Sequence, residues 1–195
     1  MQALIVVAHP DKGSFTHAVA DALSQGMTAA SSPHFAEIAD LMAEEFDPRF
    51  SAADLARFRN QAATPAEIVA EQKRIDRADA LVLVYPVYWW SFPGVLKGWI
   101  DRVFTNGWAY DETADGKLVK KLGHLRVHLV AIGAADTGTY ARHGYSTAMK
   151  TQIDHGIFHY VGAQVVTSEL LSLTDGDNAE SHLARAREIG ATIFG

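Results

Sequence analysis

The chain has 195 residues, 48% hydrophobic and 21% charged, with 17 basic against 23 acidic side chains and a formal net charge of −6. That length suits one domain with a large core, and the acidic balance argues against nucleic acid, whose binders carry a basic excess. The absence of cysteine excludes disulfides, thiolate nucleophiles, iron–sulfur clusters and cysteine–zinc sites, so redox chemistry here requires a bound cofactor.

The first segment, Ala3 to Ala8, is a short continuous run of branched apolar residues. Such a run suits a parallel strand buried on both faces. It is not preceded by a basic n-region, and no apolar run approaches the ~20 residues of a membrane span. The expectation is a cytoplasmic protein without stable membrane insertion. His9 to Ser14 reads as a loop, and Phe15 to Met27 as a helix with Ser14 at its N-cap. Apolar residues at Phe15, Ala18, Val19, Ala22 and Leu23 recur at helical spacing.

His34 to Leu41 reads as a second strand. Met42 to Thr64 reads as a wandering surface segment with a short helix near Ala52 to Asn60. Pro65 opens a helix that runs to Asp76. Ala80 to Tyr85 is the third strand, Phe92 to Phe104 a helix, and Thr105 to Leu122 a long polar loop. Leu125 to Ile132 is the fourth strand, followed by a small-residue loop from Ala134 to His143 and a helix from Ser146 to Tyr160. Ala163 to Leu171 is the fifth strand and Asn178 to Phe194 the closing helix. Alternating strands and helices make a parallel sheet covered on both faces. The expected architecture is α/β: one flavodoxin-like domain over residues 1–195, doubly wound, with a five-stranded parallel sheet and helices on both faces.

Ligands of such sheets bind beyond the carboxyl ends of the strands. The first loop, AHPDKGSFTHA, carries neither the Gly-x-Gly-x-x-Gly fingerprint nor a Walker loop. Its position suits phosphate held by helix amides, and it also suits a plain N-capped helix. Beyond the third strand lies Pro86-Val87-Tyr88-Trp89-Trp90. Aromatics there are badly placed for a core and well placed against a flat conjugated ring such as a flavin's isoalloxazine. The alternative is that one or both indoles are covered by a helix or a dimer contact. After the fourth strand, Gly133, Ala134 and Ala135 leave room for close backbone approach, and Tyr140 and His143 follow. A phenol and an imidazole can share the proton movements that accompany hydride transfer, although each taken alone reads more readily as a surface residue. His155 and His159 stand four apart on a helix without an evident third ligand, so no metal site is expected. His124 and His128 read as structural.

Several segments, in order, carry a resemblance: AHPDKGSFTHA, DLMAEEFDPRFS, IVAEQKRIDRADALVLVYPVYWWSFPGVLKGWIDRVF, GWAY and GIFHYVG. The chain resembles the flavodoxin-like NAD(P)H:quinone oxidoreductases, the DT-diaphorase group, and their smaller bacterial relatives. The resemblance implies a homodimer with one flavin per subunit, each site completed by the partner. It implies that His9, Ser14, Phe15 and Thr16 approach the flavin phosphates and ribityl chain, and that Pro86 to Trp90 hold the isoalloxazine. Trp108 and Tyr110 would wall the pocket where NAD(P)H and a quinone, or another flat aromatic acceptor, bind in turn. Tyr140 and His143 match the catalytic pair.

FAD is the flavin the first loop favours, with FMN close behind. The chain departs from the family in the short Tyr140–His143 gap, in Ile132-Gly133 and Ala134-Ala135 where the family has paired threonines and glycines, and in Thr16 where many members have asparagine. Some small relatives are flavin-binding regulatory subunits of potassium-efflux systems, which supplies a non-enzymatic alternative.

Overall fold

The computed structural model describes residues 1–29, 34–113, 115–176 and 178–195. Five parallel strands, β1 (Gln2–Val7), β2 (Phe35–Asp40), β3 (Ala80–Pro86), β6 (Arg126–Gly133) and β7 (Gln164–Ser172), form one sheet in the order β2-β1-β3-β6-β7. Chain direction across the sheet reverses beside β1 and β3, so the crevice above their carboxyl ends is the topological switch point where such folds take ligands.

The apolar runs are continuous because both faces are covered. Leu4, Val6, Leu81, Leu83 and Tyr85 point into one core with α3 (Ala66–Asp76) and α4 (Gly94–Val103). Ile5, Val7, Val82 and Val84 point into the other with α1 (Phe15–Ala29) and α7 (Ala179–Thr192). These last two helices pack closely through Gly26 and Gly190. A β-carbon on Gly26 would collide with the Arg187 carbonyl, and one on Gly190 with the Leu23 carbonyl.

Three segments differ from the sequence expectation. The long loop between Thr105 and Leu122 contains an antiparallel ribbon, β4 (Tyr110–Glu112) with β5 (Leu118–Lys120). Three-residue strands are too short to show an alternating pattern, and Thr113 closes the turn by accepting the Lys117 amide at 3.1 Å. The small-residue loop after β6 contains α5 (Thr137–Arg142), capped by Asp136, which accepts the Thr139 amide at 2.8 Å.

The helix expected from Ser146 is α6 (Tyr145–Met149) running into a π-helical segment, Lys150–His159. Wider hydrogen-bond rings have no distinctive hydrophobic period, and π geometry concentrates at functional sites. The short helix expected near Ala52 to Asn60 is α2 (Ala52–Phe58). Its Asp54 closes a capping box with Ser51 and accepts from buried Arg102 of α4 at 3.0 Å.

Candidate active site

β3 ends at Pro86, and the Val87 amide donates to the Ile132 carbonyl of β6 at 2.8 Å. This ties the next turn to the neighbouring strand. Tyr88 and Ser91 then exchange two backbone hydrogen bonds, both 3.1 Å. The two residues between them, Trp89 and Trp90, have φ of +51° and +60°. This is the two-residue hairpin turn that normally takes Asn-Gly or Gly-Gly. Left-handed backbone costs a bulky residue about 1–3 kcal/mol, and here two tryptophans adopt it in succession. Trp89 is 93% exposed. The amides of Trp89 and Trp90 have no acceptor among the described residues.

The turn faces the loop after β6 across a cleft of about 250 Å³ lined by Val87, Trp89, Trp90, Ala134, Ala135 and Tyr140. Gly133, at the end of β6, leaves no room for a side chain. A β-carbon there would stand 2.9 Å from the Tyr140 hydroxyl. α5 carries Tyr140 inward, 1% exposed, with its ring edge-on to Trp90 at 5.1 Å. Burial raises the pKa of its phenol, so Tyr140 remains a proton donor at neutral pH. His143, at the C-cap of α5, is exposed and stacks on Tyr145 at 5.2 Å, and Tyr145 in turn stacks on Trp90 at 3.6 Å. His143 thus reaches Trp90 through one intervening ring, despite the short gap from Tyr140.

A family model for the flavodoxin-like fold matches residues 1–192. An uncharacterised NAD(P)H oxidoreductase of Haemophilus influenzae is 32% identical, over 87% of this chain and 83% of its own. NAD(P)H dehydrogenase [quinone] 1 of Cavia porcellus is 29% identical, over 87% of this chain and 67% of its own. The solved NAD(P)H:quinone oxidoreductase from Methanothermobacter marburgensis superposes with a TM-score of 0.90 at 30% identity, over 99% of this chain and 98% of that one.

The chain belongs to the flavodoxin-like NAD(P)H:quinone oxidoreductase family. In this member of the family, the other expected site residues are placed as follows. The first loop is ordered by its own side chains: His9 Nδ1 lies 3.1 Å from the Asp11 amide, and Asp11 accepts the Gly13 amide at 2.9 Å. Ser14 caps α1 by accepting the His17 amide at 3.4 Å. Phe15 packs edge-on against His182 of α7 at 6.3 Å, and Thr16 is buried.

Two residues not foreseen from sequence complete the loop's support. The Ser14 hydroxyl lies 3.0 Å from His17 Nδ1, and His17 Nε2 lies 3.0 Å from an Asp40 carboxylate oxygen at the end of β2. Burial pushes the Asp40 pKa up. The His17 hydrogen bond and the Ala43 and Met42 amides outweigh that and bring it below the ordinary range. Nothing in one segment of sequence pairs positions 17 and 40; strand order alone brings them together.

Trp108 and Tyr110 do not join the cleft within this chain. Trp108 donates its indole N–H to Asp76 at 3.0 Å and packs edge-on against Phe104. Tyr110 meets Tyr160 edge-on at 5.6 Å and lines a separate groove of about 490 Å³ with Phe50, Leu55 and Phe58. The rings of His155 and His159 stack at 5.3 Å. Among the described residues, no group of three or more His, Asp or Glu stands ready to hold a metal. No described helix is long and apolar enough to cross a membrane. His128 is buried in β6, so it is structural in the sense the sequence suggested.

The cleft residues fit a flavin. Trp89 and Trp90 offer an apolar wall with free amides beside it, which is what the face and polar edge of an isoalloxazine require. The helix N-terminus of α1, beyond the first loop, is where a phosphate group would find backbone donors.

Proposed function

We propose that the protein uses a bound flavin to pass two electrons from NAD(P)H to a quinone or a similar flat aromatic acceptor, the two substrates occupying one cleft in turn. The observation that carries this reading is the left-handed Trp89-Trp90 turn opposite Tyr140. Strain of that size in a bulky pair persists where surrounding structure enforces it, and such strain clusters at ligand clamps.

A flavin held there would supply the reversible hydride transfer between nicotinamide and acceptor. Every other task falls to the chain. Pro86 to Trp90, with Gly133, Ala134 and Ala135, hold the ring, and His9, Ser14 and the first-turn amides at Phe15 and Thr16 hold the phosphate end. Trp90 and Tyr140 shape the slot so that donor and acceptor stack in one orientation, and proximity supplies much of the rate. Tyr140 and His143 donate hydrogen bonds where negative charge develops.

FAD is the flavin we assign, on the resemblance of the first loop. The protein acts as a homodimer in this reading. The groove that contains Tyr110 is bordered by the exposed apolar side chains Phe50, Leu55, Phe58 and Tyr160, and a second copy both covers that surface and brings Tyr110 towards the other subunit's cleft. The test is direct: record the visible spectrum of the purified protein, release the chromophore by heat, and identify it by chromatography. FAD supports the full reading, FMN corrects the flavin's identity, and a colourless protein that takes up neither rejects it.

A further inference from the structure

Reduction of a quinone by NAD(P)H consumes a proton from water: quinone, NAD(P)H and H⁺ give hydroquinone and NAD(P)⁺, with two electrons passing from nicotinamide to acceptor. That proton has to reach an acceptor held in the cleft, and Tyr140 is the proton-bearing hydroxyl that lines it. Tyr140 stands between two spaces. Its front lines the cleft, and its back lines a second cavity of about 230 Å³ with Tyr85, Lys150, Asp154, Ser168 and Glu169. Asp154 also belongs to two spaces. It lines this rear cavity and an outer groove of about 520 Å³ that includes His155, His159 and Gln164. Tyr140 therefore borders both the cleft and the rear cavity, and Asp154 both the rear cavity and the outer groove.

We propose that Asp154 supplies the proton that Tyr140 delivers during acceptor reduction, through the cavity the two residues share. The inference rests on the reading of the cleft as the site of that reaction. Tyr140 gives its phenolic proton to the acceptor oxygen. Asp154 restores it through water in the rear cavity, where Lys150, Ser168 and Glu169 offer polar partners and the volume suffices for several molecules. Bulk water in the outer groove then reprotonates Asp154.

The groups around Asp154 favour it over its neighbour. Glu169 is committed to Arg185 at 3.1 Å. Asp154 accepts only a long 3.5 Å hydrogen bond from the Ser168 hydroxyl among the described residues. Burial raises the Asp154 pKa, and the Ser168 hydroxyl and Lys150 only partly offset it, so the carboxyl holds its proton closer to neutrality than a surface aspartate does. Burial likewise raises the pKa of Tyr85. Tyr85 therefore stays neutral and lines the path without competing for the proton.

The test compares wild type with Asp154→Asn and Asp154→Ala in rapid-mixing experiments that separate the two half-reactions. Flavin reduction by NAD(P)H needs no proton from this path and should change by less than about twofold, whereas acceptor reduction should slow roughly tenfold or more. The solvent isotope effect on the slowed step should rise, and acetate should restore the rate in Asp154→Ala. Independently of turnover, infrared spectra of the purified protein in mildly acidic buffer should show a protonated-carboxyl band that Asp154→Asn lacks and Tyr140→Phe displaces. Unchanged acceptor reduction in both variants overturns the inference, as does an infrared band insensitive to both substitutions. A wild type that binds flavin but reduces no quinone overturns the reading of the cleft instead.

Discussion

The indole of Trp90 lies flat on the phenol ring of Tyr145, with ring centroids 3.6 Å apart and planes within 12°. Tyr145 is the first residue of α6 and follows Gly144, whose φ of +71° turns the chain back towards the cleft. On the other side of Tyr145 lies the imidazole of His143, inclined by 22°. One tyrosine therefore spaces the cleft-lining indole from the histidine. The turn is anchored a second time where the Ser91 hydroxyl donates to Gln152 at 2.6 Å.

Removing that ring should loosen the cleft wall. An offset aromatic pair is worth about 0.5–1.5 kcal/mol beyond area burial, so Tyr145→Ala should weaken flavin binding roughly three- to tenfold. Tyr145→Phe, which keeps the stack, should bind as wild type does. Fluorescence titration with flavin measures both, and equal affinity in all three proteins would refute the role.

Trp89 offers a trade between stability and function. At φ +51° with an almost fully exposed ring, it bears left-handed strain with little packing in return. Trp89→Gly relieves that strain, although glycine's greater unfolded-state entropy takes back part of the gain. The free protein should gain about 1 kcal/mol in denaturant unfolding while its flavin affinity falls. A variant both less stable and unchanged in binding would show that the turn is not a clamp.

Tyr140 and His143 should act on rate rather than on cofactor retention. Tyr140→Phe keeps the ring that packs against Trp90, and His143→Ala leaves the Trp90–Tyr145 stack intact. Each should slow flavin reduction by NAD(P)H while the flavin stays bound. Single-turnover rates equal to wild type in both variants would remove the pair from the chemistry.

His128 makes stability depend on pH. It is 1% exposed, its Nδ1 lies 3.0 Å from the Thr167 hydroxyl, and its Nε2 has no partner among the described residues. Burial, with a smaller push from Arg126, lowers its pKa from 6.5 to about 4. The folded state thus refuses a proton that the unfolded chain accepts. The stabilising contribution is complete above the unfolded value of 6.5 and is lost as pH falls towards about 4. Urea unfolding should show a loss of about 2 kcal/mol between pH ~7.5 and pH ~5 from this group. His128→Leu should lower stability at both pH values through the orphaned Thr167 hydroxyl, yet show a flatter slope between them.

The elements that sequence reveals well are those whose burial is uniform. β1 and β3 read as continuous apolar runs because helices cover both faces, and α1 shows its buried stripe at helical spacing. Short or irregular elements were less legible. The β4–β5 ribbon has too few residues to alternate, α5 is a single capped turn among small residues, and the π-helical segment has the composition of an ordinary helix.

The site divides along the same line. Its local members, the first loop and the Pro86–Trp90 turn, are contiguous in sequence and carry their chemistry in residue type. Partners that meet across the fold carried no such mark. His17 with Asp40, Tyr145 on Trp90, and Asp154 behind Tyr140 were not foreseen, although an aromatic two residues beyond His143 was a usable hint for Tyr145.

By itself, the sequence determined the sheet-and-helix alternation, the absence of thiol chemistry and the aromatic segment beyond β3, because hydrophobic period and residue chemistry are local properties. Only the tertiary structure decided the left-handed path of Trp89 and Trp90, the burial of Tyr140 and the cavity that joins it to Asp154. These depend on which strands lie side by side, and packing between distant segments sets both the backbone strain and the solvent exposure of a proton-bearing group.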